Sequence, residues 1–195
     1  MRVLISTGNL DKFREIVEII SLPEIEFLSL RDFGSDPPPE TGLTLAQNAR
    51  IKATHGFQVS GLLTLAEDTG LFVDALGGMP GVFSSRFAGP AATYRDNRLK
   101  LLEMLEGIPF EKRGACFTTI VCITRDGKDF AFVEGKVRGF ITTEERGEGG
   151  FGYDPVFLYP QMGRTFAELP RCVKNQVSHR GRAFRSARDM LLKLL

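Results

Sequence analysis

The pattern of apolar and polar positions assigns most elements of this chain. Arg2–Thr7 opens on Val3, Leu4 and Ile5, a short buried strand, and Gly8-Asn9 ends it. Phe13, Ile16, Val17 and Ile20 then recur at the spacing of one helical face. In Glu24–Leu30, Ile25, Phe27 and Ser29 alternate with Glu26 and Leu28, which predicts a second strand. Pro37-Pro38-Pro39 excludes regular structure and delivers Glu40 on a stiff extended arm. Thr44 and Gln47 form a capping box before a helix from Leu45 to about His55. Leu62–Ala66 is a buried-strand run ending at Glu67-Asp68-Thr69-Gly70, and Leu71–Ala75 is a further short strand before the turn Gly77-Gly78-Met79-Pro80-Gly81. Tyr94–Leu105 is helical through Leu99, Leu102 and Leu105, and Arg113–Thr124 with Asp129–Ile141 makes a hairpin turning at Asp126-Gly127. A glycine-rich loop from Arg146 to Pro155, a strand Val156–Tyr159 and a last helix Gly181–Leu194 close the chain, the helix with Phe184, Ala187, Leu191 and Leu194 on one side. Helices and strands alternate early and the hairpin comes late. The fold class is therefore α/β, a mixed β-sheet flanked by helices, in one domain over residues 1–195 and in one lobe or two.

Composition narrows the partners. Lys+Arg 25 against Asp+Glu 24 leaves a net charge of +1, and 43% hydrophobic residues suffice for a core without metal or disulfide staples. Near-neutrality argues against a nucleic acid polymer, whose backbone needs clustered cations, but allows a local site for one small anion. No apolar run approaches the ~18 residues of a membrane span, so no membrane partner is expected. Cys116, Cys122 and Cys172 show no pairing pattern: on one strand the first two lie roughly 20 Å apart. They read as core residues of a protein in a reducing cytoplasm. With two histidines and neither CxxC nor HExxH, zinc is not expected.

Three features depart from what folding alone selects. Lys12 falls in the first turn of a helix capped by Asn9, where the helix dipole disfavours a cation by roughly 0.3–1 kcal/mol. Either it points to water beside Asp11, or the turn Thr7-Gly8-Asn9 and its amides bind an anion that Lys12 clamps. Ser178-His179-Arg180 repeats the anomaly before the last helix, with Lys174 upstream. Glu40 and Glu67-Asp68 are acidic; carboxylates at a strand end can hold Mg²⁺, but neighbours on a strand face opposite sides, which favours Asp68 as the inward one. Gly147-Glu148-Gly149-Gly150-Phe151-Gly152 satisfies GxGxxG, yet no apolar strand precedes it and Pro155 obstructs a following helix, so it is not a dinucleotide fingerprint. Phe151 and Asp154 instead offer a flat apolar face beside a carboxylate, suited to a stacked base, or to a plain surface loop.

In order along the chain, Ser6-Thr7-Gly8-Asn9-x-x-Lys12, Glu40-Thr41-Gly42, Glu67-Asp68-Thr69-Gly70-Leu71-x-Val73-Asp74-Ala75-Leu76-Gly77-Gly78-x-Pro80-Gly81, Gly150-Phe151-Gly152-Tyr153-Asp154-Pro155 and Ser178-His179-Arg180 resemble the inosine triphosphate pyrophosphatase family, also called XTP/dITP diphosphatases. The resemblance implies a mixed sheet in two lobes around a central nucleotide-binding cleft, as a cytoplasmic homodimer. It implies Mg²⁺-dependent hydrolysis, with Mn²⁺ as an alternative metal, of ITP, dITP and XTP to the monophosphate and pyrophosphate, which cleanses the nucleotide pool. Position by position, Thr7, Gly8, Asn9, Leu10, Asp11 and Lys12 match the triphosphate turn, and Lys52 a phosphate lysine. Asp68 matches the catalytic acid and Glu40 a metal or water-positioning carboxylate, so that Asp68 and Glu40 are the implied metal ligands. Thr69 matches a substrate contact, Phe151, Gly152, Tyr153 and Asp154 the base loop, and Lys174, His179 and Arg180 the remaining base and phosphate contacts. The chain departs from the commoner bacterial pattern at Glu67 and Thr69, where Asp-Asp-Ser-Gly is usual, and at Gln47, where Glu is usual. Two competing readings are a non-catalytic nucleotide-binding module and a sister-type pyrophosphatase for methylated or pyrimidine nucleotides.

Overall fold

The computed structural model describes residues 1–193. In chain order the strands are β1 (Arg2–Ile5), β2 (Glu26–Ser29), β3 (Leu63–Val73), β4 (Pro80–Gly81), β5 (Gly114–Thr124), β6 (Phe130–Ile141), β7 (Phe157–Tyr159) and β8 (Arg164–Thr165). The helices are α1 (Leu10–Ile20), α2 (Leu45–Ser60), α3 (Tyr94–Met104), α4 (Arg171–Val177) and α5 (His179–Leu192). The strands form one mixed sheet in the order β2-β1-β3-β5-β6-β7-β8, with β4 on β3. Strand β1 runs parallel to both neighbours, Val3 opposite Phe27 and Leu63, whereas β4, β7 and β8 pair antiparallel. The α/β expectation holds. Among the described residues no helix is long and apolar enough to cross a membrane.

The chain forms two compact units. The first comprises Met1–Asp68, Thr119–Gly135 and the chain from His179 onward; the second comprises Thr69–Thr118 and Lys136–Ser178. Each has its own core. In the first, Val3 and Ile5 of β1, Leu63 and Leu65 of β3, and Val121 and Ile123 of β5 pack on Ile16 and Ile20 of α1 and on Phe184, Ala187 and Leu191 of α5. These are the helical faces that the apolar spacing predicts; Leu194 lies outside the described residues. In the second, Leu71 and Val73, Phe117, Val137, Phe157 and Phe166 pack with Leu101 and Leu105.

Several elements differ from expectation. The two short strands foreseen on either side of Thr69-Gly70 are one strand, β3, so Glu67 and Asp68 sit in its interior rather than at its end. Gly70 makes no turn there: a Cβ on it would lie 2.6 Å from the Gly81 carbonyl oxygen, so the glycine serves the close approach of β4. Helix α2 runs five residues beyond His55, to its left-handed cap at Gly61. Val156 belongs to a short 3-10 turn, and the patterned strand begins at Phe157. A short helix, α4, precedes the last one, so His179 and Arg180 lie inside α5. Of the cysteines only Cys122 is buried, its thiol pushed up to about 12 by burial; Cys172 is exposed.

Candidate active site

In the first unit, three helices deliver charge to two neighbouring residues of β3. Asn9 caps α1, its Oδ1 accepting from the Asp11 and Lys12 amides, while Thr7 Oγ1 accepts from the Asn9 amide. The Asn9, Asp11 and Lys12 N–H groups are therefore bonded within the turn itself. The Leu10 and Asp11 side chains are exposed, and Gly8 is half-buried. Lys12, half-buried, reaches Glu67 Oε1 at 3.0 Å.

Glu67 is 4% exposed, and Arg180 grips it through Nε and Nη2, each at 3.1 Å. Arg180 Nη1 donates to Glu15 Oε2 at 2.8 Å. Burial alone would push the Glu67 carboxyl up, but the Arg180 and Lys12 charges outweigh it and hold this group well below the ordinary carboxylate range. Arg180 is thus a buried ion-pair partner, 2% exposed, and not the open phosphate or base contact expected of it. Its placement depends on Gly135 of β6, where any Cβ would collide with the His179 carbonyl and let α5 approach no closer. His179, the first residue of α5, is buried beside it.

Asp68 points to the other face of β3, as strand geometry requires. Its Oδ1 accepts from Lys52 Nζ at 2.7 Å and its Oδ2 from Asn48 Nδ2 at 3.2 Å. Asn48 and Lys52 are one turn apart on α2, whose start is fixed by the foreseen box: Thr44 Oγ1 accepts from the Gln47 amide and Gln47 Oε1 from the Thr44 amide. Gln47 is therefore a capping residue. Ser6 Oγ donates to the Lys52 carbonyl at 2.7 Å, tying α2 to the end of β1. The same Lys52 ammonium meets Glu40 Oε1 at 2.6 Å, at the end of the proline arm. Burial disfavours the Lys52 charge, yet Asp68 and Glu40 prevail and raise its pKa. Burial raises the Asp68 pKa; Lys52 opposes this and Glu40 adds to it, and the net direction is upward.

Among the described residues no three His, Cys, Asp or Glu side chains gather into a metal cage. The donor set still suits Mg²⁺, which takes one or two carboxylates and completes its octahedron with water and phosphate oxygens. Glu40 and Asp68 supply two such carboxylates, converging on a point where a cation, Lys52 Nζ, already sits.

The remaining predicted residues belong to the second unit. Thr69 is half-buried on β3. Asp154, 3% exposed, accepts from the Phe151 amide at 2.9 Å and from Lys174 Nζ at 2.6 Å. Lys174, carried by α4, lies 4.8 Å from the Phe151 ring centroid, so one ammonium serves both the carboxylate and the aromatic face. Tyr153, expected in the base loop, is a core residue whose hydroxyl donates to the Ser84 carbonyl; Gly152 beside it is half-buried. Glu15 and Asn48 escaped the sequence reading. Both carry a spacing signal, Glu15 three residues after Lys12 and Asn48 four before Lys52.

The description of the Ham1 family matches residues 3–190. A dITP/XTP pyrophosphatase of Thermoanaerobacter sp. (strain X514) is 43% identical over all of this chain and 98% of its own length. One from Escherichia coli (strain K12) is 41% identical over 97% of this chain and 98% of its own. The solved structure of a HAM1 protein from Coxiella burnetii superposes with TM-score 0.90 at 37% identity, covering 99% of each chain. With a match from β1 to α5 and relatives above 40% identity along the whole length, the chain belongs to the Ham1 family.

Proposed function

We propose that this protein hydrolyses deaminated purine nucleoside triphosphates (ITP, dITP and XTP) to the monophosphate and pyrophosphate, and so cleanses the nucleotide pool. The observation that carries the reading is the split of charge on β3: Glu67 is neutralised by Lys12 and Arg180, while Asp68 shares one ammonium with Glu40. An acidic pair with a single cation between them suits a metal-bridged triphosphate. Glu40 and Asp68 would hold Mg²⁺, or Mn²⁺ in its place, which when bound neutralises charge on phosphate oxygens. Asp68, with its raised pKa, is the stronger proton acceptor and orients and deprotonates the water that attacks phosphorus, most simply at the α position. Lys12 and Lys52 stabilise the negative oxygens as pyrophosphate leaves.

In the second unit, Phe151 offers its face to the base, Asp154 an acceptor and Lys174 a donor. A 6-keto purine presents an N1–H donor and a keto acceptor, which match; adenine presents the reverse at both positions. Each unmade buried hydrogen bond costs roughly 1–3 kcal/mol, so two mismatches disfavour ATP by about 100-fold or more.

The test is pyrophosphate release from ITP, dITP, XTP, GTP and ATP with and without Mg²⁺. We expect turnover of the deaminated substrates at least about 100-fold above ATP, abolished by chelation and restored by Mg²⁺. Equal turnover of ATP and ITP, or release of inorganic phosphate alone, overturns the reading. The homodimer and the cytoplasmic location belong to the same proposal; sedimentation of the purified protein tests the first.

A further inference from the structure

Helix α3 carries no role in the chemistry above, yet one of its side chains holds the glycine-rich loop at two points. Arg98 Nη1 donates to the Gly152 carbonyl at 2.9 Å, and its Nε donates to Glu145 Oε1 at 2.8 Å. A second, longer bond runs from Nη2 to Glu145 Oε2 at 3.4 Å. Between these anchors lie Gly147 and Gly150, and Gly152 itself ends the span, all three at positive φ. Glycines lose more conformational freedom on ordering than other residues, so this span needs external restraint to hold one shape.

The anchor falls where it matters for Phe151. The Phe151 amide is fixed by Asp154, and the carbonyl one residue later is fixed by Arg98, so the backbone is held on both sides of the ring. Tyr94, one turn before Arg98 on the same helix face, places its ring 6.0 Å from that of Phe151 at an interplanar angle of 35°. A surface ion pair such as Arg98–Glu145 adds little to global stability, so its effect is expected in local order.

We propose that Arg98 is a positioning residue for purine recognition: by clasping Glu145 and Gly152 in one guanidinium fork, it fixes the Phe151 ring in the plane a base must stack on. The proposal rests on the reading of this loop as the base-binding element. Its fork cannot be replaced by a single ammonium, which reaches one partner at a time.

The experiment compares wild type with Arg98→Ala, Arg98→Lys and Glu145→Gln in steady-state pyrophosphate release from ITP, and in amide hydrogen exchange across residues 146–152. For Arg98→Ala we expect KM to rise about 10-fold with kcat within about 2-fold, an unchanged unfolding midpoint, and faster exchange confined to the loop. Arg98→Lys and Glu145→Gln, each keeping one arm of the clasp, should fall between wild type and Arg98→Ala in both readouts. Unchanged KM and exchange in Arg98→Ala overturn the proposal, as does a fall in kcat at constant KM. If wild type itself releases no pyrophosphate from any keto-purine triphosphate, the functional reading fails, while the exchange measurement still decides whether Arg98 orders the loop.

Discussion

Glu67 and Asp68 are successive residues of β3, each 4% exposed, and they live in opposite electrical surroundings. Glu67 faces two cations, Arg180 and Lys12, and with Glu15 completes a set of two negative and two positive side chains. Asp68 pairs with Lys52, which it divides with Glu40, and feels Lys12 only as a lesser attraction. Burial disfavours both anions; at Glu67 the Arg180 and Lys12 charges outweigh it and lower the pKa, whereas at Asp68 Lys52 and Lys12 do not, Glu40 adds to the rise, and the pKa goes up. The Glu67 set balances two negative side chains with two positive ones, whereas Asp68 and Glu40 share the charge of Lys52. Placing both on one strand, back to back, gives adjacent carboxylates opposite shifts.

The sharpest way to break this contrast is Asp68→Asn, which removes the proton acceptor and leaves its shape. We expect pyrophosphate release to fall by about 1,000-fold or more, with far-UV circular dichroism unchanged; retained turnover would remove Asp68 from the chemistry. Glu67→Gln attacks the other side. It leaves Arg180 and Lys12 without their shared anion in the interior, and urea unfolding should show a loss of about 3–5 kcal/mol, against little or none for Asp68→Asn. Equal destabilisation by the two variants would contradict the division of labour.

The smallest effect concerns pH. The folded pKa of Glu67 lies below its ordinary 4.5, so its contribution is complete above that value and is lost as pH falls through the folded value. The folded pKa of Asp68 lies above 3.8, so its contribution has the opposite sign: present below that value and lost as pH rises through the folded one. Urea midpoints measured between about pH 3 and pH 7 should therefore fall less steeply on the acid side in Glu67→Gln than in wild type. In Asp68→Asn the decline on the rising side should vanish.

Much of this was legible in the letters. The 3.6-residue spacing of Phe13, Ile16 and Ile20, the Thr44/Gln47 box and the Asp126-Gly127 turn each express local physics, and each element is present. Strand β3 was not legible as one piece, because Glu67-Asp68-Thr69-Gly70 looks like a polar terminus. Its charges are tolerated inside a strand only because Lys12, Lys52 and Arg180 arrive from distant helices, and no local window contains them. The same blindness made Arg180 look like an open ligand contact. Its two carboxylate partners are remote in sequence, and a charged residue in a helix's first turn shows nothing of its burial. The cations at helix starts drew attention to Lys12 and Arg180, and in the structure both meet the buried carboxylate of Glu67.

The Arg180–Glu15 hydrogen bond joins residues 165 positions apart. During synthesis, which proceeds from the N-terminus, Glu15 and Glu67 emerge long before the side chain that compensates them. Until the final helix leaves the ribosome the first unit lacks both α5 and its charge balance, so the nascent chain cannot complete that unit early. A product cut short before residue 180 retains all eight strands but leaves Glu67 without its Arg180 clamp and Glu15 without the Arg180 bond.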